Sequence, residues 1–235
     1  MKTDKLSPKI LTLASGTVPL EVTRHPTARR ITLRLTTEGD AVRLVLPRAT
    51  PLREGLDFAE SQKDWLQARL QALPPRIPFR DGQVIPLLGV EHLIVHEPAG
   101  RRGVWQEGRQ IIVSGKVEHL SRRLTDYLKT LARRTIVPRA NEKAERLQKK
   151  PGRITLRDSR SRWGSCSANG NLNFSWRLIL APEHVLDYVV AHEVAHLVEH
   201  NHGPRFWVLA AQLTDDLEGA KKWLKRRGHC LHRYG

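Results

Sequence analysis

Tyr188-Val189-Val190-Ala191-His192-Glu193-Val194-Ala195-His196-Leu197-Val198-Glu199-His200-Asn201-His202-Gly203-Pro204 decides how the rest of the chain is read. His192 and His196 stand four residues apart, so on an α-helix they fall on nearly one face and can aim both imidazoles at a single ion. Glu193 is turned about 100° from His192, beside such an ion rather than on it. There its carboxylate can act as general base toward a metal-activated water. H-E-x-x-H at this spacing is the helical signature of zinc peptidases. Around it Val185, Leu186, Val189, Val190, Val194, Ala195, Leu197 and Val198 leave no broad polar face, so the helix is expected to be buried. Buried histidines and an acid are costly unless something satisfies them, and a metal does; hydrogen-bonded core histidines are the alternative.

A catalytic zinc takes three protein ligands and keeps one position open. The third ligand could be His200, His202 or Glu218. His200 continues the stripe but lies roughly 12 Å along the axis from His192, too far for easy convergence. Gly203-Pro204 cannot extend a helix and Asn201 tolerates a left-handed cap, so a break at 200–201 would let His202 turn back. His202 is favoured over Glu218 on that ground. The spacing 192, 196, 202 matches the metzincin pattern, but Glu199 occupies its glycine position and Met1 is the only methionine, so a Met-turn is impossible.

Outside this stretch the sequence is strongly basic, with net charge +16 from 40 Lys and Arg against 24 Asp and Glu. Much of the excess is local: Ser121 to Arg162 holds 14 Lys or Arg and four acids, 14 − 4 = +10. Such a stretch could attract nucleic acid, nucleotides or acidic peptides. It could equally be a solvated helix face, the reading slightly preferred because exposed aromatics for base stacking are lacking. No apolar run reaches about 18 residues, so no membrane partner is expected. The first residues lack the apolar core of a signal peptide, and Cys166 and Cys230 form no C-x-x-C pair. A cytoplasmic location is expected, with one disulfide left open.

Upstream, Ile31, Leu33 and Leu35 alternate with polar residues, as do Val42, Leu44 and Leu46. With Glu38-Gly39-Asp40 between them they predict a hairpin. A helical pattern runs from Pro51 through Leu52, Leu56, Ala59, Leu66 and Leu70 to Pro74-Pro75, with Trp65 packed. Short strands follow over Gln83–Leu88, His92–His96 and Gln110–Val113, and period two puts His92 and His96 on one face, read as the surface. Val117 to about Lys149 is helical on the stripe Leu120, Leu124, Tyr127, Leu128, Leu131 and Ile136, kinked or divided at Pro138. A strand over Arg153–Arg157, the small-residue segment Trp163-Gly164-Ser165-Cys166, a turn at Asn169-Gly170 and a strand through Leu172, Phe174 and Trp176 lead to the metal helix. Cys166 reads as a small packed hydrophobe. Beyond His202, the stretch from Phe206 to Leu213 suits a helix packed under the site, and Lys221 to Arg227 a basic helix face.

Taken together, Ser161-Arg162-Trp163-Gly164-Ser165-Cys166-Ser167, Leu172-Asn173, the helix around His192-Glu193-Val194-Ala195-His196, and Asn201-His202-Gly203-Pro204-Arg205-Phe206-Trp207 resemble the YgjP-like metallopeptidases, a family similar to the SprT-like proteases. The resemblance extends more weakly through the N-terminal part. It implies a zincin-type fold, zinc on His192, His196 and His202, Glu193 as catalytic base, and the Trp-Gly-Ser-Cys strand beside the site. Phe174 and Ser175 depart from it, since an aliphatic residue is more usual after Asn173.

The expectation is therefore an α+β protein with a strand-rich N-terminal part, residues 1–115, and a zincin-like metal-binding part, residues 116–235, or one integrated domain. Its expected activity is zinc-dependent hydrolysis of peptides or proteins. A metal-dependent nucleotide phosphohydrolase and a nucleic-acid-associated protease are the alternatives. Asp187, Asp215 and Asp216 are candidates to orient a ligand histidine. Tyr188, Arg205, Arg162 and Asn173 are unranked candidates to stabilise an oxyanion.

Overall fold

The computed structural model describes residues 4–7, 9–36, 41–72, 75–159 and 161–235. The fold is α+β, in two compact units, Met1–Arg76 and Ile77–Gly235. Among the described residues no helix is long and apolar enough to cross a membrane.

In the first unit β1 (Asp4–Lys5), β2 (Lys9–Leu13), β3 (Gly16–His25), β4 (Thr32–Leu35) and β5 (Val42–Pro47) form one mixed sheet in the order β1-β3-β5-β4, with β2 also on β3. Alternation decides which face is inside: Val18, Leu20 and Val22 of β3 and Val42, Leu44 and Leu46 of β5 are buried. β4 and β5 pair antiparallel as the alternating pattern predicts; Glu38-Gly39-Asp40 lie outside the described residues. α1 (Leu52–Ser61) and α2 (Lys63–Gln71) take the predicted helical stretch, with Gln62 between them; Pro74 of the expected stop is outside the described residues. Ala59 and Leu66 close the core, while Trp65, expected to pack, is 48% exposed.

The second unit opens with β6 (Val84–Leu87), β7 (Val90–Glu97), β8 (Val104–Glu107) and β9 (Gln110–Ser114), ordered β6-β7-β9-β8. A 3-10 turn, Val117–His119, leads into α3 (Leu120–Arg146). Every fourth residue of α3 from Leu120 to Ala144 is buried, and this ridge shares one core with Ile85, Ile94, Ile111 and Val113 of the sheet. That shared core joins residues 84–114 to the helix that carries His192 and His196, all within the unit that begins at Ile77. Pro138 lies on the exposed face and leaves α3 a single 27-residue helix. His92, expected at the surface, is instead only 5% exposed, on the inner face with Ile94. Its Nδ1 lies 2.9 Å from the Val90 carbonyl and its Nε2 2.9 Å from Gln106 Nε2 on β8, a strand the sequence reading passed over. Alternation gave the shared face correctly but not which face looks inward.

β10 (Ile154–Arg157), β11 (Gly164–Cys166) and β12 (Leu172–Ser175) form a small sheet ordered β10-β12-β11, with β11 antiparallel to β12 at an edge. A 3-10 segment, Trp176–Leu180, then leads to α4 (Glu183–Ala195), α5 (Pro204–Gln212), α6 (Leu217–Arg227) and a final 3-10 turn, Gly228–Arg233. Both cysteines are free thiols, and Cys166 packs against the core.

α4 is pinned to α3 by a buried charge. Lys143 Nζ, from a residue 7% exposed, lies 2.8 Å from Asp187 Oδ1 and 2.5 Å from the Leu213 carbonyl, while Thr214 Oγ1 donates to Asp187 Oδ2 at 2.8 Å. Removing one partner of a buried pair strands the other charge and costs about 3–5 kcal/mol. Asp187→Ala is therefore expected to lose about 3 kcal/mol in urea unfolding, near the lower end because Asp187 is partly exposed. A loss below about 1 kcal/mol, the range of a surface pair, would show that the pin contributes little.

Candidate metal centre

α4 is apolar almost all round because it is surrounded: Val185, Leu186, Val189, Val190, Val194 and Ala195 are each at most 4% exposed. Its helical pattern stops at Ala195, with His196 as the capping residue, earlier than the break expected at 200–201. The chain turns at once, with Leu197 N bonding the Val194 carbonyl at 2.9 Å and Glu199 N the Ala195 carbonyl at 3.0 Å. Gly203-Pro204 starts α5 with the proline in its first turn, so the return segment carries His202 back over the end of α4. The early stop shortens the path His202 must cover. It also removes His200 from the stripe, and His200 is exposed.

His192, His196 and His202 each place a ring nitrogen within 4.8 Å of the others', and they are the only such group of three among the described residues. The nitrogen roles follow from the neighbours. His196 Nδ1 lies 2.9 Å from the Glu199 carbonyl, which can only accept; Nδ1 therefore carries the proton and Nε2 keeps its lone pair. His192 Nδ1 lies 3.4 Å from the Tyr188 hydroxyl, and its Nε2 faces His202 Nε2 at 3.0 Å. Burial foremost, then the two neighbouring imidazoles, holds His192 down at about 4. Burial likewise lowers His196, against the raising effect of its bond to Glu199. Both rings are thus neutral at pH 7, the form that ligates a metal. Ligands 2.0–2.1 Å from a shared tetrahedral ion stand about 3.3 Å apart; His192 Nε2 and His202 Nε2, at 3.0 Å, are close to that spacing, and all three ligand nitrogens lie within 4.8 Å of one another.

Phe206 of α5 is completely buried and packs on all three rings, with centroids 4.9 Å from His192, 4.5 Å from His196 and 4.7 Å from His202. Trp207 stands 5.7 Å from His202, and Lys221 of α6 lies over its ring at 4.5 Å. Glu218 bonds Lys221 at 2.9 Å and is not in the histidine group.

Glu193, 6% exposed, lies against Gly164 of β11. A Cβ on Gly164 would come within 2.5 Å of Glu193 Cγ and Oε1, so only glycine leaves room for the carboxylate there. Burial pushes Glu193 up to about 7, opposed by the charge of Arg162. β11 has a second property. Ser175 N bonds the Trp163 carbonyl and Ser167 N the Asn171 carbonyl, which makes 163, 165 and 167 the positions bonded to β12. By antiparallel alternation the backbone groups of Gly164 and Cys166 point to the other edge, where the sheet has no further strand among the described residues.

Several second-rank expectations change. None of Asp187, Asp215 and Asp216 bonds a ring of the group: Asp187 serves Lys143 and Thr214, and Asp216 caps α6 through Gly219 N at 2.8 Å. The outer nitrogens meet the Glu199 carbonyl and Tyr188 instead. Tyr188 could have been found, since it precedes His192 by four residues on the same helix face; a backbone carbonyl leaves no mark in a sequence. Because Tyr188 meets the outer nitrogen of His192, it is turned from the side where the Nε2 atoms face one another. Burial, then Glu193 and Glu218, pushes its hydroxyl up to about 12. Asn173 Nδ2 is 3.4 Å from Ser165 Oγ on the neighbouring strand.

No curated protein and no solved structure matches this chain. The sequence from residue 29 to residue 227, most of the chain and all of the site just described, matches the YgjP-like metallopeptidase domain, and the chain belongs to that family.

Proposed function

We propose that the chain is a zinc-dependent peptidase in which His192, His196 and His202 hold the ion and Glu193 is the general base. The observation that carries this reading is the approach of three imidazole nitrogens, all within 4.8 Å, at the end of the helix that also bears a buried carboxylate. Zinc, when bound there, would polarise a scissile carbonyl and make water acidic enough to attack near neutral pH. Glu193 would take the proton at its carboxylate and deliver it to the departing amine. Burial suits it to both halves of that task, because a carboxyl titrating near neutrality accepts and releases a proton at similar cost. A peptide backbone laid along the uncovered edge of β11 would pair with Gly164 and Cys166 and pass beside Glu193. The test is metal content together with hydrolysis of unstructured protein by purified, chelator-treated and zinc-restored chain. Activity that disappears with the metal and returns with zinc supports the reading; metal-independent hydrolysis, or none in the zinc-restored chain, counts against it.

The fit between Gly164 and Glu193 gives a second expectation. Gly164→Ala should leave zinc binding near wild type, since the atoms nearest to the added methyl all belong to Glu193, while displacing the carboxylate it crowds. A misplacement of about 1 Å in a reacting group costs on the order of 10²-fold in rate. Equal activity in Gly164→Ala and wild type, both zinc-loaded, would mean that the carboxylate has room to work elsewhere.

A further inference from the structure

The basic stretch of the sequence is not spread evenly over the second unit. Exposed or partly exposed on α3 are Arg123, Lys129, Arg133 and Arg134, and the fold adds one arginine on either side. Arg101, from the loop between β7 and β8, joins Arg123 and Arg134 around an open cleft of about 760 Å³. Arg157, the last residue of β10, joins Lys129 and Arg133 around a second of about 380 Å³. Thr130 lines both, so the two clefts meet across the solvent ridge of α3. Three segments far apart in sequence thus deliver six cations to one face.

Two acids line these clefts, and each already has a cation. Asp126 pairs with Arg122 at 3.6 Å and Asp158 with Arg177 at 2.7 Å. None of the six cations has an ion-pair partner among the described residues. One of them is built in: Arg123 Nη1 donates to the Ser114 carbonyl at 2.6 Å. Gly115, with φ +92°, makes room for it, since a Cβ there would come within 2.8 Å of the same nitrogen. A merely solvated face needs no such anchoring.

We propose that this double cleft binds the phosphodiester backbone of nucleic acid, without reading its sequence. Five of the six cations are arginines, whose planar forks match phosphate oxygens. The apolar side chains lining the clefts, Val104, Leu131, Leu156 and Trp176, are at most partly exposed, so there is no protruding anchor such as a peptide groove uses. The aromatics lining the clefts, Tyr127 and Trp176, pack against or within the core rather than standing out for base stacking, which leaves charge and backbone as what is recognised. From Arg123 to Arg134 the helix advances about 16 Å, the length of about five phosphates along one strand of a duplex. Nothing in this assignment depends on the histidine group or on what it hydrolyses.

The experiment is fluorescence anisotropy of a labelled short DNA duplex with the full, zinc-loaded chain at several salt concentrations. Two variants carry the same loss of charge. One is Arg101→Gln/Arg133→Gln/Arg134→Gln/Arg157→Gln, which leaves Arg123 and its carbonyl bond alone. The other is Lys222→Gln/Lys225→Gln/Arg226→Gln/Arg227→Gln on the exposed side of α6. Six contacts give the wild type a slope of about −5 for log K against log salt, and losing four flattens it by about 3 to 4. The cleft variant should bind at least about tenfold more weakly at about 0.1 M salt, with the α6 variant close to wild type. Equal weakening in both variants would reduce the effect to net charge and overturn the assignment, as would absence of wild-type binding at about 0.15 M salt. Pyrophosphate displacing the duplex as effectively as unlabelled DNA, phosphate for phosphate, would instead make this a small-anion site.

Discussion

Glu193→Gln is expected to fold, keep its zinc and lose on the order of 10²-fold or more of peptide hydrolysis. The substitution is nearly isosteric, so the space beside Gly164 is filled as before. What changes is that an amide cannot accept a proton. Desolvating an uncharged amide at a site 6% exposed is also cheaper than desolvating a carboxylate. Stability should therefore hold or rise slightly, and a fall in rate cannot be blamed on unfolding. Thermal melting, zinc content and turnover measured on one preparation separate these outcomes. Undiminished turnover would remove Glu193 from the chemistry and leave it a buried spacer.

The second large effect belongs to His202. His202→Ala is expected to weaken zinc binding by more than the 10–100-fold that loss of an outer hydrogen-bond partner costs, while His200→Ala leaves it unchanged. The contrast is sharp because both residues are exposed and lie two positions apart. Composition, helix content and local charge are nearly the same in the two variants. Only His202 brings its Nε2 to within 3.0 Å of His192. Competition with a chromogenic chelator reads the difference directly, without any substrate. Retained affinity in His202→Ala with loss in Glu218→Ala would transfer the third position to the acid on α6.

What could be read from the sequence was whatever periodicity and spacing encode. The four-residue step from His192 to His196, the alternation that pairs β4 with β5, and the long stripe of α3 are local patterns, and local patterns survive translation into coordinates. The end of α4 did not, because two competing signals had to be weighed. Val198 and the apolar neighbours favoured continuing the helix, yet the chain turns after Ala195 and Val198 is left exposed. His92 failed for a related reason: period two assigns a shared face but cannot say which face the sheet turns inward. The Glu199 carbonyl that meets His196 is a local contact, but a backbone group carries no sequence signature, and the convergence of Arg101 and Arg157 on α3 is a tertiary fact. The coming together of His192, His196 and His202 was thus legible, while their outer partners and the surface beyond them were not.

Phe206 gives the site a further property. The three imidazoles stand around a phenyl ring that belongs to the core of the unit, so their backs are held by hydrocarbon. A small domain that folds only around its zinc loses its structure when the ion is taken away. Here the histidines are backed by a core that the rest of the unit shares, and His202 alone of the three is exposed to solvent. If zinc is held there as proposed, the chain is expected to be emptied and refilled in the folded state. Its activity would then follow how much free zinc its surroundings offer from moment to moment, rather than how much was present when the chain was made.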